Sequence, residues 1–309
     1  MLKLGMVTAA EWPHGKTFTS LFNGEFDPAT GKPTKAADPR LANARITRIW
    51  DANKKAAQEL ASMRQIDIVL DRYEDAAEDV DGVIIADDAS QEHQKFAPYF
   101  IDKKMPLFCD KPLSRKYAEA KRIIDRVKKK GGLFQSGSSL RYCNEVLDLK
   151  ANLKDKVGKP LLGATFGPSE LIFYGVHSIE YLLGVVGGRV ATVQHVGTEE
   201  LDLVVLKFES GLISSWMCGE GAARGAWRLV LRGDKGEDVL DSSTDNYNNM
   251  MANFVKMIET GKPPISLEDT LHVIAVLDTA QKSVEAGGKV LKVPQPYKAK
   301  KKTKKSKKK

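Results

Sequence analysis

The first 136 residues alternate short apolar runs with segments in which apolar residues recur every three or four positions. Apolar runs of strand length lie at residues 2–7, 45–51, 66–70, 82–86, 105–109 and 133–136. Helical periodicity lies at residues 16–22, 52–63, 91–102 and 114–130. Strands separated by helices predict right-handed crossovers and a doubly wound parallel sheet with helices on both faces. Residues 24–44, rich in Gly, Pro, Ala and Asp, predict a long loop.

The second half of the chain has closely spaced strand patterns instead. Apolar runs lie at residues 161–166, 190–196, 201–208, 212–217, 227–232 and 238–240. Helical patterns lie at residues 145–153, 175–186, 246–259 and 266–285. Short turns between the strands favour a largely antiparallel sheet. The expected fold is therefore α/β: an N-terminal Rossmann domain at 1–138, a C-terminal α+β domain at 139–296, and a tail at 297–309.

The net positive charge of the chain comes from its last twelve residues. The composition, with 42% hydrophobic and 28% charged residues, is typical of a soluble globular protein. Residues 298–309 hold nine lysines and no acid, and subtracting these from the formal charge of +8 leaves −1. We expect the tail to be disordered. It is either a solvated extension or a site of weak, salt-sensitive polyanion contact, and no aromatic residues lie between its lysines, as sequence-specific nucleic-acid recognition would require.

The cysteines and the apolar runs bear on location. Cys109, Cys143 and Cys218 are odd in number and lack C-x-x-C spacing, so we expect reduced thiols and no zinc site. The first residues lack the pattern of a signal peptide. No apolar run approaches the roughly 20 residues of a membrane helix. These observations predict a cytoplasmic protein that does not enter a membrane.

Candidate cofactor residues follow the predicted parallel strands, where such sheets bind ligands. The first strand is followed by Thr8-Ala9-Ala10-Glu11-Trp12-Pro13-His14-Gly15, which lacks the G-x-G-x-x-G fingerprint. Thr8, Ala10 and His14 are its candidate cofactor contacts. Asp51 ends the second strand, where a carboxylate accepts hydrogen bonds from an adenosine ribose and repels a 2′-phosphate; this favours NAD over NADP. Alternatively, Asp51 caps the following helix.

The turn after the fourth predicted strand lies at the same carboxyl edge of the sheet as the turn after the first strand. Ala86 and Asp87 are candidate cofactor contacts there, although either Asp87 or Asp88 could instead cap the helix that follows. His93 is expected to be structural.

A lysine and a histidine are the candidate catalytic residues. Lys111 lies between Asp110 and Pro112 at the end of the strand predicted at 105–109, where it could contact both cofactor and substrate. A surface ion pair with Asp110 is the alternative. His177 begins a predicted helix, with Glu180 one turn later. It could instead be a structural histidine, or one ligand of a metal site for which spacing gives no third ligand, so no metal is predicted.

These motifs, in this order, resemble the glucose–fructose oxidoreductase/inositol dehydrogenase (Gfo/Idh/MocA) family. Asp110-Lys111-Pro112 is similar to its E-K-P motif, and the preceding VDGVIIADDASQEH is similar to V-D-A-V-I-I-A-T-P-N-x-x-H. Gly175, His177 and Glu180 match G-x-H-x-x-D/E, and residues 135–142 and 266–293 follow the family's later segments. The resemblance covers about residues 1–293.

The resemblance implies an NAD(P)-dependent oxidoreductase that acts on a sugar, cyclitol or related hydroxy compound. Lys111 would stabilise the developing alkoxide of the substrate, and His177 would be the general base in oxidation. Arg141 and Tyr174, with His177, would contact substrate. The resemblance also implies a homodimer or homotetramer.

The chain departs from the family at two places. The glycine fingerprint is missing, and Phe173 stands where many members have an aspartate, four residues before the histidine. Glu170, Glu180 or a group of the substrate could replace that carboxylate. Two alternative functions follow: a sugar lyase or hydrolase that uses tightly bound NAD through a keto intermediate, and a non-catalytic ligand-binding protein on a degenerate dehydrogenase scaffold.

Overall fold

The computed structural model describes residues 1–8, 10–87, 92–219 and 226–295, so Asp88 and the tail predicted at 297–309 lie outside the described residues. The described strands are β1 Leu2–Val7, β2 Glu25–Phe26, β3 Pro33–Lys35, β4 Ala44–Trp50, β5 Ile68–Val69, β6 Gly82–Ile85, β7 Leu107–Cys109, β8 Phe134–Ser136, β9 Pro160–Pro168, β10 Val190–His195, β11 Leu201–Phe208, β12 Ile213–Gly219, β13 Arg228–Gly233, β14 Glu237–Leu240 and β15 Leu291–Lys292. The described α-helices are α1 Pro13–Asn23, α2 Lys54–Arg64, α3 His93–Asp102, α4 Tyr117–Lys130, α5 Asn144–Lys156, α6 Gly175–Val186, α7 Asn246–Thr260 and α8 Leu267–Glu285.

The first sheet has the strand order β5-β4-β1-β6-β7-β8, and all its pairs are parallel. Its central strands are buried on both faces, as in the run Gly82–Ile85. The chain leaves β1 toward β4 on one side and continues through β6 on the other. This reversal places a ligand-binding crevice at the carboxyl end of β1, and the predicted Rossmann sheet is confirmed.

The second sheet has the order β14-β13-β9-β12-β11-β10-β15 and is antiparallel except for the pair β9–β12. The predicted α+β half with a largely antiparallel sheet is therefore confirmed. One face of this sheet is buried, with Trp216, Val204 and Leu231 all at 0% exposure. Along β12 the alternate residues Ile213, Ser215 and Met217 face outward and are exposed or half-exposed.

Helix α7 joins the two halves of the molecule. Met250, Met251 and Phe254 share a buried cluster with residues of the first sheet, among them Ile84 and Phe108. Gly82 permits this packing, because a Cβ there would lie 2.8 Å from the Ile258 side chain and 3.3 Å from Phe254. A helix late in the sequence thus covers one face of the early sheet.

Two local expectations need correction. Residues 24–44 are not a plain loop: they contain the hairpin of β2 and β3 and a 3₁₀ turn at Pro39–Leu41. Asp51 does not cap α2, because the cap is Asn53, whose side chain accepts from Ala56 N. Among the described helices, none is both long and apolar enough to span a bilayer.

Candidate active site

Lys111 lies at the carboxyl edge of the first sheet, two residues after β7 ends. Its side chain is buried at 3% exposure, so a solvated surface ion pair does not describe it. Its Nζ lies 3.9 Å from the centroid of the Phe173 ring and 5.9 Å from that of Tyr174. The neighbouring carboxylate of Asp110 accepts a hydrogen bond from the Lys111 backbone N–H at 2.8 Å.

His177 comes from the first turn of α6 and is 7% exposed. Its Nδ1 lies 2.6 Å from Ser138 Oγ, and its ring lies 4.9 Å from the Trp227 ring. Burial lowers the pKa of His177 well below its ordinary value, the positive charge of Lys111 lowers it further, and a protonated His14 acts in the same direction. The imidazole is therefore neutral at physiological pH.

One cavity of about 290 Å³ brings these groups together. Aromatic rings of Phe173, Tyr174, Trp227 and Tyr247 line it, and so do the polar side chains of Lys111, His177, His14, Ser139 and Asn246. Tyr174 lies near both candidate catalytic residues: its ring is 6.0 Å from that of His177 and 5.9 Å from the Lys111 ammonium. The two predicted catalytic residues therefore line the same cavity, although Lys111 follows β7 of the first sheet and His177 lies in α6 of the second half of the chain.

His14 also reaches this cavity, from the first turn of α1. Its Nδ1 lies 2.5 Å from Asp110 Oδ2, and its Nε2 lies 2.9 Å from the Tyr247 hydroxyl on α7. Burial acts to raise the pKa of Asp110, but the attraction of His14, the hydrogen bond with it and the charge of Lys111 hold that pKa below its ordinary value. The ionised carboxylate, imidazole and phenol form a continuous chain.

Arg141 is not in the cavity lining, contrary to its expected contact with substrate. Its largely buried guanidinium pairs with Glu180, which is 1% exposed. Glu170 pairs with Arg115 at 3.0 Å. Neither glutamate replaces the missing carboxylate beside His177, because the side chain that contacts its Nδ1 is Ser138.

Sequence reasoning missed several site residues, among them Ser138 and Tyr247, which contact the two histidines. Ser138 caps the 3₁₀ turn Ser139–Tyr142 by accepting from Leu140 N, and Tyr247 lies in the first turn of α7. A serine at a predicted turn and a tyrosine at a predicted helix start were visible in the sequence. Their convergence on two histidines was not, because it depends on how distant segments pack.

The predicted cofactor residues lie around the carboxyl ends of β1, β4 and β6. Asp51 accepts from Ala10 N at 2.9 Å and from Asn53 N at 2.8 Å, which ties the loop after β1 to the end of β4. Ala86 is fully buried, and its N–H donates to Val7 O. Asp87, at 2% exposure, accepts from Glu92 N just before α3 begins.

The comparisons with known proteins define the class. The family model described as "Oxidoreductase family, NAD-binding Rossmann fold" (GFO_IDH_MocA) matches residues 23–138. The match covers residues 23–138, and its family is the one that the motifs of the sequence resemble. No curated protein sequence matches the chain.

Solved structures share the whole fold at low sequence identity. The myo-inositol 2-dehydrogenase of Lactobacillus plantarum is 16% identical, with a TM-score of 0.78, over 95% of this chain and 99% of that one. The scyllo-inositol dehydrogenase of Lactobacillus casei with bound NAD(H) and scyllo-inositol is 14% identical, with a TM-score of 0.79, over 95% and 99%. The myo-inositol dehydrogenase of L. casei with NAD(H) and myo-inositol is 18% identical, with a TM-score of 0.77, over 95% and 97%.

The residues at the edge of the first sheet fit a nicotinamide dinucleotide despite the missing glycines. Thr8 has a φ of 62°, so this threonine adopts the left-handed backbone that favours glycine in a tight turn. Its Oγ1 is buried and has no hydrogen-bond partner within the described part of the chain. The first turn of α1 contains no acid, so its amides can face a phosphate. Among the described residues, no group of three or more metal-ligating side chains lies together.

Proposed function

We propose that this oxidoreductase acts on a secondary hydroxyl of a cyclitol or a sugar of similar size, with NAD as the cofactor. The meeting of Lys111 and His177 in one cavity, at the carboxyl edge of the dinucleotide-binding sheet, carries the proposal. The boundary between the two domains is proposed at residue 138, which is supported by the end of the family match there.

The cavity has the size and chemistry for a small polyol. Its 290 Å³ is near the lower end of the roughly 300–1,000 Å³ typical of small-molecule sites. Its aromatic rings offer apolar faces to the C–H groups of a polyol, while the lysine, histidines, serine and asparagine can bond its hydroxyls. Relatives of the same fold crystallised with inositols support this choice. The missing glycine fingerprint and Phe173 are the features that favour a non-catalytic protein, but the meeting of Lys111 and His177 in one cavity supports an oxidoreductase instead.

Lys111 and His177 would act on the same substrate oxygen. The Lys111 ammonium donates a hydrogen bond to the reacting oxygen and stabilises its negative charge as the proton leaves. The neutral imidazole of His177 accepts the hydrogen bond of the hydroxyl, and Tyr174 contacts the substrate beside it. The nicotinamide, when bound, supplies hydride chemistry.

NAD would lie along the carboxyl ends of β1, β4 and β6. Thr8 Oγ1 and the amides near Ala10 and His14 would face the pyrophosphate, and Ala86 and Asp87 would border the nicotinamide ribose. Asp51 retains acceptor capacity beyond the two amides it binds, so a ribose diol can donate to it. A 2′-phosphate would meet a carboxylate, which supports NAD over NADP.

Turnover of polyols tests the proposal. The purified protein is titrated calorimetrically with NAD⁺ and NADP⁺, and then assayed with a panel of inositols and sugars by the absorbance of the reduced nicotinamide. We expect NAD⁺ to bind more tightly and at least one polyol to be oxidised. Lys111→Ala should reduce kcat by about 100-fold or more. Lys128→Ala, which removes a surface lysine paired with Glu268, is the control.

Absence of binding by either dinucleotide would refute the cofactor assignment. Equal kcat for Lys111→Ala and Lys128→Ala would refute the role of Lys111.

The outward face of the second sheet is proposed to bind a second copy of this chain. Leu162, Phe166, Val205 and Met217 are exposed or half-exposed on neighbouring strands of that face. An apolar surface that spans several strands is typical of a protein interface. We therefore propose that the chain forms a homodimer through this face, and that two such dimers can associate into a homotetramer.

We further propose a cytoplasmic location and a polyanion contact for the tail. The three cysteines are buried and unpaired, which suits a reducing compartment. Nine lysines within residues 298–309 should hold the chain on a heparin column at low salt. A chain that ends at residue 297 should elute earlier; identical elution would exclude the contact.

A further inference from the structure

The proposed reaction releases a proton, and His177 is a poor group to retain its charge. Within the described residues, the side chain bonded to its Nδ1 is the neutral hydroxyl of Ser138, and the nearby Lys111 is a cation. Phe173 covers the Lys111 ammonium where a carboxylate would have offset both positive charges. His177 can accept a hydrogen bond from the substrate, but an imidazolium there would be buried beside another cation.

His14 is bonded to a carboxylate, that of Asp110, whereas the Nδ1 of His177 is bonded to the hydroxyl of Ser138. Asp110 is fully buried and accepts from Lys111 N through Oδ1, so its Oδ2 is directed to His14 Nδ1 at 2.5 Å. An ionised carboxylate only accepts hydrogen bonds, so His14 Nδ1 carries a proton. In the neutral ring Nε2 is then an acceptor, and the Tyr247 hydroxyl donates to it at 2.9 Å.

Tyr247 is held in place by its neighbours. Its ring lies 5.3 Å from that of His14 and 6.0 Å from that of Phe18, in edge-on contacts. Helix α7, which carries it, is anchored in the core of the first sheet through Met250, Met251 and Phe254. The phenol therefore stays against His14 while it faces the cavity.

We propose that Asp110, His14 and Tyr247 form a proton relay that takes up the proton released from the substrate hydroxyl. This proposal rests on the proposed function and adds a second set of residues to it. Tyr247 is the catalytic residue that touches substrate, His14 holds the proton, and Asp110 is a positioning residue that stabilises the resulting imidazolium.

The transfer is balanced. The proton of the reacting hydroxyl passes to Tyr247 Oη instead of staying with its acceptor His177, either directly or through one water that takes up this proton while it gives its own to Tyr247. Tyr247 gives its own proton to His14 Nε2 in the same step. The O–H bond of the phenol is thus broken and remade, and His14 becomes an imidazolium bonded to the Asp110 carboxylate. In the reducing direction every proton moves the opposite way.

Replacing the phenol tests the relay. Tyr247→Phe keeps the ring and removes the hydroxyl. We expect kcat to fall by about 100-fold or more while KM changes little, because general acid–base catalysis contributes roughly 10²–10⁴. In the wild type the solvent deuterium isotope effect on kcat should reflect two protons in transfer. In Tyr247→Phe it should reflect fewer. Tyr181→Phe, which removes a buried hydroxyl bonded to Ser242 O outside the cavity, should leave kcat unchanged.

Removing the imidazole gives an independent readout. His14→Ala should be inactive and should regain activity when free imidazole is added. His195→Ala, which removes the other histidine with an aspartate partner at 2.8 Å, should show no dependence on imidazole. In the cofactor-free protein, the ¹⁵N resonance of His14 Nε2 should shift in Tyr247→Phe, because the phenol no longer donates to it.

The outcomes separate the relay from the function. If the wild type oxidises a polyol and Lys111→Ala does not, but Tyr247→Phe is as fast as the wild type, the relay is overturned and the function stands. If no polyol is turned over, the proposed function fails and the relay's role fails with it. An unshifted Nε2 resonance in Tyr247→Phe would overturn the hydrogen-bond chain itself.

Discussion

The charges around a single imidazole decide which group in the cavity can hold a proton. Lys111 and His14 both lower the pKa of His177, and burial lowers it more than either. Phe173 accommodates the Lys111 ammonium through its ring, and a desolvated cation–π contact is worth about 2 kcal/mol. The ring stabilises the lysine without cancelling its charge. The cationic environment of His177 is therefore a direct result of phenylalanine at position 173.

Phe173→Asp should reverse this effect. A carboxylate beside Lys111 and one turn before His177 would offset the positive charge and favour the imidazolium, so we expect the pKa of His177 to rise by about one to three units. The measurement is an NMR pH titration of the His177 ring in cofactor-free protein. Phe173→Leu is the control, since it removes the aromatic ring without adding charge. Identical titrations of the two variants would contradict the electrostatic argument.

The sequence identified several residues of this site, but not the side chains to which they are bonded. Lys111, His177 and Tyr174 were predicted and do meet, because strand ends and helix starts are visible in the sequence. The link from Asp110 through His14 to Tyr247 was not, since its two hydrogen bonds join residues 96 and 233 positions apart. The family resemblance implied that Arg141 contacts substrate, and its pairing with the buried Glu180 depends on packing that the sequence does not show.

At the scale of elements, α6 is positioned by close contact with β12. The Cα of Gly175, at the start of α6, lies so near the Trp216 indole that a Cβ would overlap it. Trp216 is itself fully buried. The glycine thus permits the helix that carries His177 to approach the sheet, and this contact explains the glycine of the G-x-H motif in this chain.

Gly175→Ala should therefore lower the free energy of unfolding by about 1–3 kcal/mol, the usual cost of overpacking a core. Urea denaturation at neutral pH measures it. Gly132→Ala is the matched control, because a Cβ there would meet only Lys104 Cα at 3.9 Å. A loss in the control as large as that in Gly175→Ala would show that the Trp216 contact is not the cause.

Helix α8 is joined to β10 by a histidine that must stay neutral. His272 Nε2 accepts from Val190 N at 2.9 Å, and burial lowers its pKa to about 4. Between pH 6.5 and 4 the unfolded chain binds a proton that the folded protein does not. Stability should therefore fall as the pH falls through this window, by up to about 3 kcal/mol from this residue.

His272→Gln tests this dependence, because its amide oxygen can still accept from Val190 N but does not titrate. Denaturation at pH 7 and pH 4.5 should show a smaller loss of stability for the variant than for the wild type. Burial also lowers the pKa of His93 and of His177, so part of the loss should persist in the variant. Equal losses would exclude His272 as a contributor.

Most strands and helices were predictable because each buries one face or both. The run at 201–208 became β11 with the same bounds, and the first sheet has the predicted strands. The hairpin of β2 and β3 was missed because its strands have two and three residues and few apolar side chains. The packing of α7 on the first sheet was also missed, since an amphipathic pattern shows that a helix has a buried face but not what covers it.

At the scale of the whole molecule, the outward face of the second sheet should control assembly. Met217→Glu places a charge at the centre of this face, so we expect sedimentation at micromolar concentration to show a monomer where the wild type shows a dimer or tetramer. Ile68→Glu is the matched control, because Ile68 is 41% exposed on an edge strand of the other sheet. A wild type that sediments as a monomer would remove the proposal.

The embedding of α7 in the first core also limits how a substrate can reach the cavity. A motion that carried α7 away from the first sheet would pull Met250, Met251 and Phe254 out of contact, and each such side chain contributes about 1.5–3 kcal/mol by being buried. A wide hinge motion of that kind is therefore disfavoured. Entry should depend on small movements of side chains at the mouth of the cavity, with its walls already in their final positions before any ligand arrives.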